Sequence, residues 1–385
     1  MAAQSSTIIN ARLPDRDGLH QLCLTAGRLT RIQPMDEAIA PDDASLDVGG
    51  DWVSPGGVDL QINGALGLAF PDLAIAHLET LDKICSFLWQ QGVDAFLPTL
   101  VTTSLDNIHR ALATLAAFRD QGGDRGARIL GVHLEGPFLN PQKRGAHPAE
   151  HLQPLTLEQV SQVLANYTSL VKVITLAPEL DPSGQVIPTL VNQGMIVSLG
   201  HSQATAEQAK RAFDQGASMV THAFNAMPSL HHRQPGLLGA ALTHPQVFCG
   251  VIADGVHVAP TMLDLLLRIG RGGRSPQPYP QGLFLVSDAL APLGLPDGRY
   301  PWDSREIEVI QGTARLADGT LSGTTLPLLA GVQYLVRQGL CEPSEAIALA
   351  TLAPRRALGL PTWPQQEPIH LLRWSAQTLD WQRLP

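Results

Sequence analysis

The chain has 385 residues, 44% of them hydrophobic and only 16% charged, so it is too apolar for a disordered polypeptide and long enough to bury a large core. Its 26 basic against 35 acidic residues leave a net charge of −9, which argues against nucleic acid as the main partner while leaving room for a single phosphate pocket. Four widely separated cysteines (Cys23, Cys85, Cys249, Cys341), with no CxxC pair, predict reduced thiols in a cytoplasmic protein rather than a disulfide framework.

The opening residues carry no apolar stretch, so no signal peptide is expected. No window approaches 18 uninterrupted apolar residues, so no membrane span is expected either. Short alternating segments at Thr7–Ala11, Leu22–Ala26 and Arg28–Ile32 predict strands separated by Asp, Gly and Pro turns. After Trp52 the pattern changes to eight apolar runs: Val58–Ile62, Ala95–Val101, Ile129–Leu134, Val171–Leu176, Met195–Leu199, Met219–His222, Phe248–Ala253 and Leu283–Ser287. Helical periodicity fills the intervals at Ile75–Gln91, Leu105–Arg119, Leu157–Asn166, Ala204–Gln215 and Thr261–Ile269, with a further helix expected over Leu326–Arg337.

Eight βα alternations predict an α/β fold, a (β/α)8 TIM-type barrel; a doubly wound sheet shows the same alternation but the count of eight favours the barrel. The tail, with strands expected at Ile369–Arg373 and Gln377–Trp381, is expected to join the N-terminal strands. Residues 1–53 plus 359–385 would then form a small β-sandwich domain and 54–358 the catalytic barrel. Arg271–Gly282 is polar and rich in Gly and Pro, and reads as a surface loop.

In such a barrel the catalytic groups stand at the C-terminal ends of the strands. Glu135 follows the third run, His201 the fifth, His222 closes the sixth and Asp288 follows the eighth. One carboxylate and two imidazoles make a three-donor set with an open position, so Glu135, His201 and His222 are the candidate metal ligands. Each alone passes as an ordinary strand-end residue, and the weight lies in their sharing one mouth. Asp288 is the candidate general base, with a helix N-cap as its plainer reading. His147 could donate to an oxyanion. Arg233 and His257 could clamp a phosphate or carboxylate, helped by backbone N–H groups near Asn225 and Ala226. The small-residue run Leu321–Ser322–Gly323 reads as the approach to a helix start suited to a ligand's hydroxyls or anion. His133 is expected to be structural and turned away from Glu135.

The ordered motifs PGGVDLQING, GVHLEGPFLNPQKRGAH, TLAPE, VSLGHSQAT, THAFNAM, HRQPG, ADGVHV, VSDALAPLG and LSGTTL, running from about Pro55 to Leu358, resemble the N-acetylglucosamine-6-phosphate deacetylases of the amidohydrolase superfamily. That resemblance implies metal ligation by Glu135, His201 and His222, acid/base catalysis by Asp288 and polarisation of the acetyl carbonyl by His147. It implies substrate binding at Ala146, His147, Asn225, Ala226, Arg233, His257, Leu321, Ser322 and Gly323. Two-metal relatives in the superfamily carry His-x-His at the end of the first strand; Gln61–Ile62–Asn63 stands there instead, so Gln61 and Asn63 mark a vestigial second-metal position and one divalent ion is expected. Zn2+ comes first, with Fe2+, Co2+ and Mn2+ open.

The expected reaction is removal of acetyl from N-acetyl-D-glucosamine 6-phosphate by a cytoplasmic homodimer that binds neither nucleic acid nor membrane. N-acetylgalactosamine 6-phosphate or another N-acyl amine is the alternative substrate. A non-catalytic sugar-phosphate-binding protein is the remote one.

Overall fold

The computed structural model describes residues 5–38, 45–120, 126–272, 281–365 and 367–384. The loop expected at Arg271–Gly282 therefore lies, over 273–280, outside the described residues. Eight parallel barrel strands follow in order: Gly57–Ile62, Val93–Val101, Val132–Glu135, Val171–Leu176, Ile196–Leu199, Met219–Val220, Phe248–Val251 and Leu283–Leu285. Each pairs with its neighbour from first to eighth. The first is buried at every position and the second at all but its last residue, as expected where a strand has the barrel interior on one face and helices on the other.

The seam between eighth and first strands closes differently. The Asp288 and Asn63 amides donate to Gln61 O at 2.9 Å and Ala289 O at 2.7 Å. The buried carboxylate of Asp59 adds to this, accepting from the Ser287 amide at 3.2 Å. Backbone bonds just beyond the eighth strand, with the Asp59 side chain behind them, thus finish a barrel that the regular ladder leaves nearly closed.

The helices at Leu105–Asp120, Ala206–Asp214 and Pro260–Arg271 match the expected segments within a few residues. Ala206–Asp214 starts on a reciprocal cap, in which the Gln208 amide donates to Thr205 Oγ1 and the Thr205 amide to Gln208 Oε1. That cap stops the chain four residues beyond His201 and holds the loop at the mouth. The first barrel helix, Leu78–Gln90, is shorter than expected because Ile75–His77 forms a separate 3-10 turn. No helix among the described residues is long and apolar enough to cross a membrane.

The N- and C-terminal segments share one sheet, in the order Trp381–Arg383, Leu371–Trp374, Trp52–Pro55, Ser5–Leu13, Arg16–Thr25, Arg28–Pro34, with Ser45–Asp47 beside Ser5–Leu13. The last two strands begin later than the sequence suggests. Ser375 Oγ takes the amides of Gln377 and Thr378, which makes 375–379 a turn rather than strand. A larger difference is a four-stranded antiparallel meander, Gly298–Trp302, Arg305–Ile310, Thr313–Leu316 and Leu321–Thr324. Leu321, Ser322 and Gly323 therefore lie in a strand and not at a helix start. The helix begins at Leu328, since Leu326 precedes Pro327 and a residue before proline is steered away from helical geometry.

Asp94 ties the terminal sheet to the barrel. It accepts from the Gly56 amide at 2.9 Å and Arg383 Nη1 at 2.9 Å, and lies 3.5 Å from Arg355 Nη2. Gly56 is required, because a Cβ there would meet Asp94 Oδ1 at 2.0 Å. Asp94→Ala strands Arg355, which is buried, beside Arg383, and should cost about 3–5 kcal/mol. Urea unfolding measures it; a loss under about 0.5 kcal/mol, typical of an isolated surface change, would mean the knot carries no stability.

Candidate active site

Three of the candidate metal and acid/base residues adopt a backbone conformation that side chains normally avoid. His201, His222 and Asp288 have φ of +49°, +30° and +47°, in the left-handed region. Each sits just beyond a barrel strand, so the chain turns sharply there and aims the side chain over the mouth. Strain of this kind persists only where surrounding structure enforces it, and it gathers at functional sites.

The three metal candidates converge. Glu135 Oε1 lies 3.0 Å from both His201 Nε2 and His222 Nε2, and the two nitrogens are 3.0 Å apart. Donors about 2.0–2.2 Å from one ion at tetrahedral angles lie about 3.3–3.6 Å apart, so a small outward movement of each would admit one. His201 Nδ1 donates to Lys143 O at 2.8 Å, which orients the ring with Nε2 facing the cluster. His147 Nε2 is 3.9 Å from the same Glu135 oxygen, so Glu135, His147 and His201 also form a group that could hold an ion. The tighter triangle is the one containing His222.

All of these groups are buried, and their charges answer to one another. Burial alone would raise Glu135, but the hydrogen bonds from His201 and His222 hold its carboxyl well below the ordinary range. Burial would lower His222, and the bond to Glu135 outweighs it and raises the imidazole. Asp288 is pushed up to about 7 by burial and by the neighbouring charge of Glu135.

Gln61 and Asn63 are where the sequence places them, at the end of the first strand, and they touch both carboxylates. Gln61 Nε2 donates to Glu135 Oε2 at 3.1 Å and to Asp288 Oδ1 at 3.2 Å; Asn63 Nδ2 donates to Asp288 Oδ1 at 2.8 Å. Two carboxylates are thus spanned by amides.

His147 is held from behind by Thr102, whose amide donates to Nδ1 at 3.3 Å. Thr102 Oγ1 lies 2.9 Å from the same nitrogen, and with the amide donating there the ring proton falls on Nε2, on the side of the cluster. Burial, then His201, lowers its pKa to about 3, so the ring is a neutral donor at pH 7. His133 is structural, but it does not turn away from Glu135, because residues two apart in a strand share a face. It lies in the barrel interior beneath the candidate ligands, bonded to Thr99 Oγ1 at 3.2 Å and Thr175 Oγ1 at 2.8 Å.

Above the cluster lies a cavity of about 240 Å³. Ala146, His147, Asn225, Ala226, His257, Leu321, Ser322 and Gly323 line it together with Glu135, His201, His222, Asp288 and Asn63. Gln61 lies beneath it. Arg233 is not brought in; it sits on an exposed turn, with its amide donating to His231 Nδ1.

Sequence reasoning passed over Asp254, whose Oδ2 is 2.6 Å from His257 Nδ1. The acidic residue three before a histidine in ADGVHV was the available signal. It also passed over Trp302, in the cavity wall, and Arg305, whose Nη2 donates to Ala146 O at 2.7 Å. Both lie on the unforeseen meander.

The Amidohydrolase family matches residues 52–362. An N-acetylgalactosamine-6-phosphate deacetylase of Escherichia coli O157:H7 is 37% identical over 341 residues, covering 89% of this chain and 85% of its own. The N-acetylglucosamine-6-phosphate deacetylase of Bos taurus is 39% identical over 326 residues, covering 83% and 77%. The crystal structure of N-acetylglucosamine-6-phosphate deacetylase from Pasteurella multocida is similar with a TM-score of 0.83 at 25% identity, over 99% of this chain and 100% of that one. A mutant of the Mycobacterium smegmatis enzyme in complex with N-acetyl-D-glucosamine-6-phosphate gives 0.84 at 27% identity, over 99% and 97%.

A divalent cation entering the triangle needs His222 neutral and draws the pKa of Asp288 down from about 7. Cation binding at pH 7 should therefore release protons, and fewer in Asp288→Asn. Calorimetry in two buffers of different ionisation enthalpy counts them. Equal release by both proteins would refute the coupling of Asp288 to the cation.

Proposed function

Because the chain belongs to the amidohydrolase family, we propose that it is a metal-dependent hydrolase that converts N-acetyl-D-glucosamine 6-phosphate to D-glucosamine 6-phosphate and acetate, a step of amino-sugar catabolism. The observation that carries the reading is the convergence of Glu135 Oε1, His201 Nε2 and His222 Nε2 beside Asp288, under a polar cavity. The names of relatives at 37% and 39% identity support the acetylated amino-sugar phosphate as substrate.

The donor set fits one divalent ion, with Zn2+ the first choice and Fe2+, Co2+ and Mn2+ as alternatives. Such an ion, when bound, lowers the pKa of water and polarises a carbonyl. The remaining work belongs to the chain. Asp288, desolvated and held by Asn63 and Gln61, takes the proton of the attacking water and delivers it to the departing nitrogen. An amine leaves poorly unless protonated, so the second transfer matters as much as the first. His147, its Nε2 proton fixed by Thr102, donates to the carbonyl oxygen as negative charge develops. Gln61 keeps the two carboxylates at a set separation.

His257, oriented by Asp254, reads the phosphate, with the backbone at Asn225–Ala226 and the Leu321–Gly323 strand shaping the sugar's place. Arg233 lies outside the cavity of its own chain, and we assign it to the phosphate bound by a second copy. The reading therefore includes a cytoplasmic homodimer.

Acetate release by the metal-loaded protein tests the reading directly. N-acetyl-D-glucosamine 6-phosphate should be turned over and the unphosphorylated sugar barely. Equal rates on both would remove His257 and Arg233 as phosphate readers. N-acetylgalactosamine 6-phosphate belongs in the same assay, because the Escherichia coli relative is named for it. Asp288→Asn should keep its metal and lose about 10²–10⁴-fold in turnover. Full activity in that variant would sink its acid/base role.

A further inference from the structure

The catalytic cavity has a larger neighbour. A second chamber of about 380 Å³ shares Asn63, Val101, Pro148 and Trp302 with it. Beyond that common boundary its walls include Leu290, Ala291 and Ile307, which are apolar, and the carboxylates Asp72, Glu150 and Asp303. Neither Lys nor Arg is among its described lining residues.

The position of the chamber is informative. Val101, Thr102 and Thr103 place it over the end of the second barrel strand, whereas Asn225 and Ala226 follow the sixth. In a ring of eight, the second and sixth strands face each other across the mouth. An amide whose carbonyl lies between Glu135, His147 and Asp288, and whose sugar phosphate points toward Asn225 and His257, must direct its acyl carbon the opposite way. That direction leads past Asn63 and Val101. A methyl group alone leaves the space beyond them unfilled.

We propose that this chamber is an acyl subsite, by which the enzyme hydrolyses glucosamine 6-phosphates carrying neutral linear N-acyl groups longer than acetyl. The inference rests on the reaction assigned above. The same C–N bond breaks; the water oxygen joins the acyl carbon and the amine leaves with the proton, giving a longer carboxylate in place of acetate. Asp72, Glu150 and Asp303, all exposed, outnumber the cations near them, Arg110 beside Asp72 and Arg305 paired with Asp303, and give the chamber a mild preference against negative charge. An acyl chain ending in its own carboxylate is mildly disfavoured, because exposed like charges repel only weakly through water and salt.

The test compares kcat/KM of the metal-loaded full chain for the N-acetyl, N-propionyl, N-butyryl and N-succinyl derivatives of glucosamine 6-phosphate. A closed methyl pocket would cost about 10–200-fold for a misfitting methylene. Propionyl and butyryl should instead stay within about tenfold of acetyl, and succinyl should fall about two- to fivefold below butyryl. Ala291→Phe and Thr103→Phe narrow the second chamber at residues that do not line the catalytic cavity. In both, the butyryl-to-acetyl ratio should drop at least about tenfold, and because the ratio is taken within one protein a general loss of folded enzyme cancels.

Turnover of acetyl with loss of butyryl in the unaltered protein overturns the subsite and leaves the reaction standing. So does a ratio that neither variant moves. Equal use of succinyl and butyryl overturns the charge preference. No turnover of the acetyl compound fails the reaction itself, and this inference with it.

Discussion

Glu135 is kept ionised almost entirely out of water, and the mouth of the barrel is arranged around that charge. A buried carboxylate costs several kcal/mol unless it is paired and hydrogen-bonded. Here one oxygen faces two imidazoles and the other accepts from Gln61. Each partner comes from a different strand, so the charge is satisfied only when the first, third, fifth and sixth strands end at one level. The left-handed turns at His201 and His222 follow from this demand: an ordinary extended exit would carry the rings past the carboxylate. Burial, together with this neighbouring charge, raises Asp288 to about 7, so a second carboxyl at the mouth titrates near neutral pH.

Beneath this layer is a second polar one. His133 joins Thr99 and Thr175, and Thr175 continues through Thr221 to Ser198 with oxygens 2.7 and 2.6 Å apart. The Ile62 amide donates into it at Thr99 Oγ1. Strands one to six are thus linked by side chains across the interior as well as by their ladders. Burial lowers His133 to about 4, which keeps it neutral under two imidazoles that must themselves converge. Asp59 does related work at the eighth strand, where the ladder gives out. Burial pushes its carboxyl up to about 7, and its Oδ1 still receives the Ser287 amide. The barrel is therefore cross-linked by side chains at the depth just below the mouth.

The eight strands were legible because a strand buried on both faces reads as a run of apolar residues, and the strand-end residues were legible because such a run stops where a polar side chain turns toward the mouth. The meander was not. Its middle strand, Arg305–Ile310, alternates exposed and buried residues over only six positions, and its apolar side is a small cluster of Leu290, Ile307, Val309 and Ala314. The helix Gly236–Thr243 escaped for the opposite reason, since GLLGAALT is apolar on nearly every side and shows no helical stripe. Within the site, donors carried by single residues were readable, whereas Thr102 and Asp254 act by orienting another side chain, a relation that depends on distance across the fold. Arg233 has no visible relation to the cavity within its own chain, and nothing in its sequence neighbourhood announces that.

Trp52–Pro55 leads straight into the first barrel strand on one side of Asp94, while its sheet partner Leu371–Trp374 and the Arg383 that reaches Asp94 come more than 300 residues later. During synthesis the ribosome must therefore deliver the whole barrel before that edge acquires its neighbour. Until then a row of unpaired backbone groups stands beside a carboxylate lacking one of its two arginines. A nascent chain paused in the barrel helices would expose a template for strand addition by another chain. The last strands act as the closing stitch of the molecule, and slow translation upstream of them is where aggregation in the cell would begin.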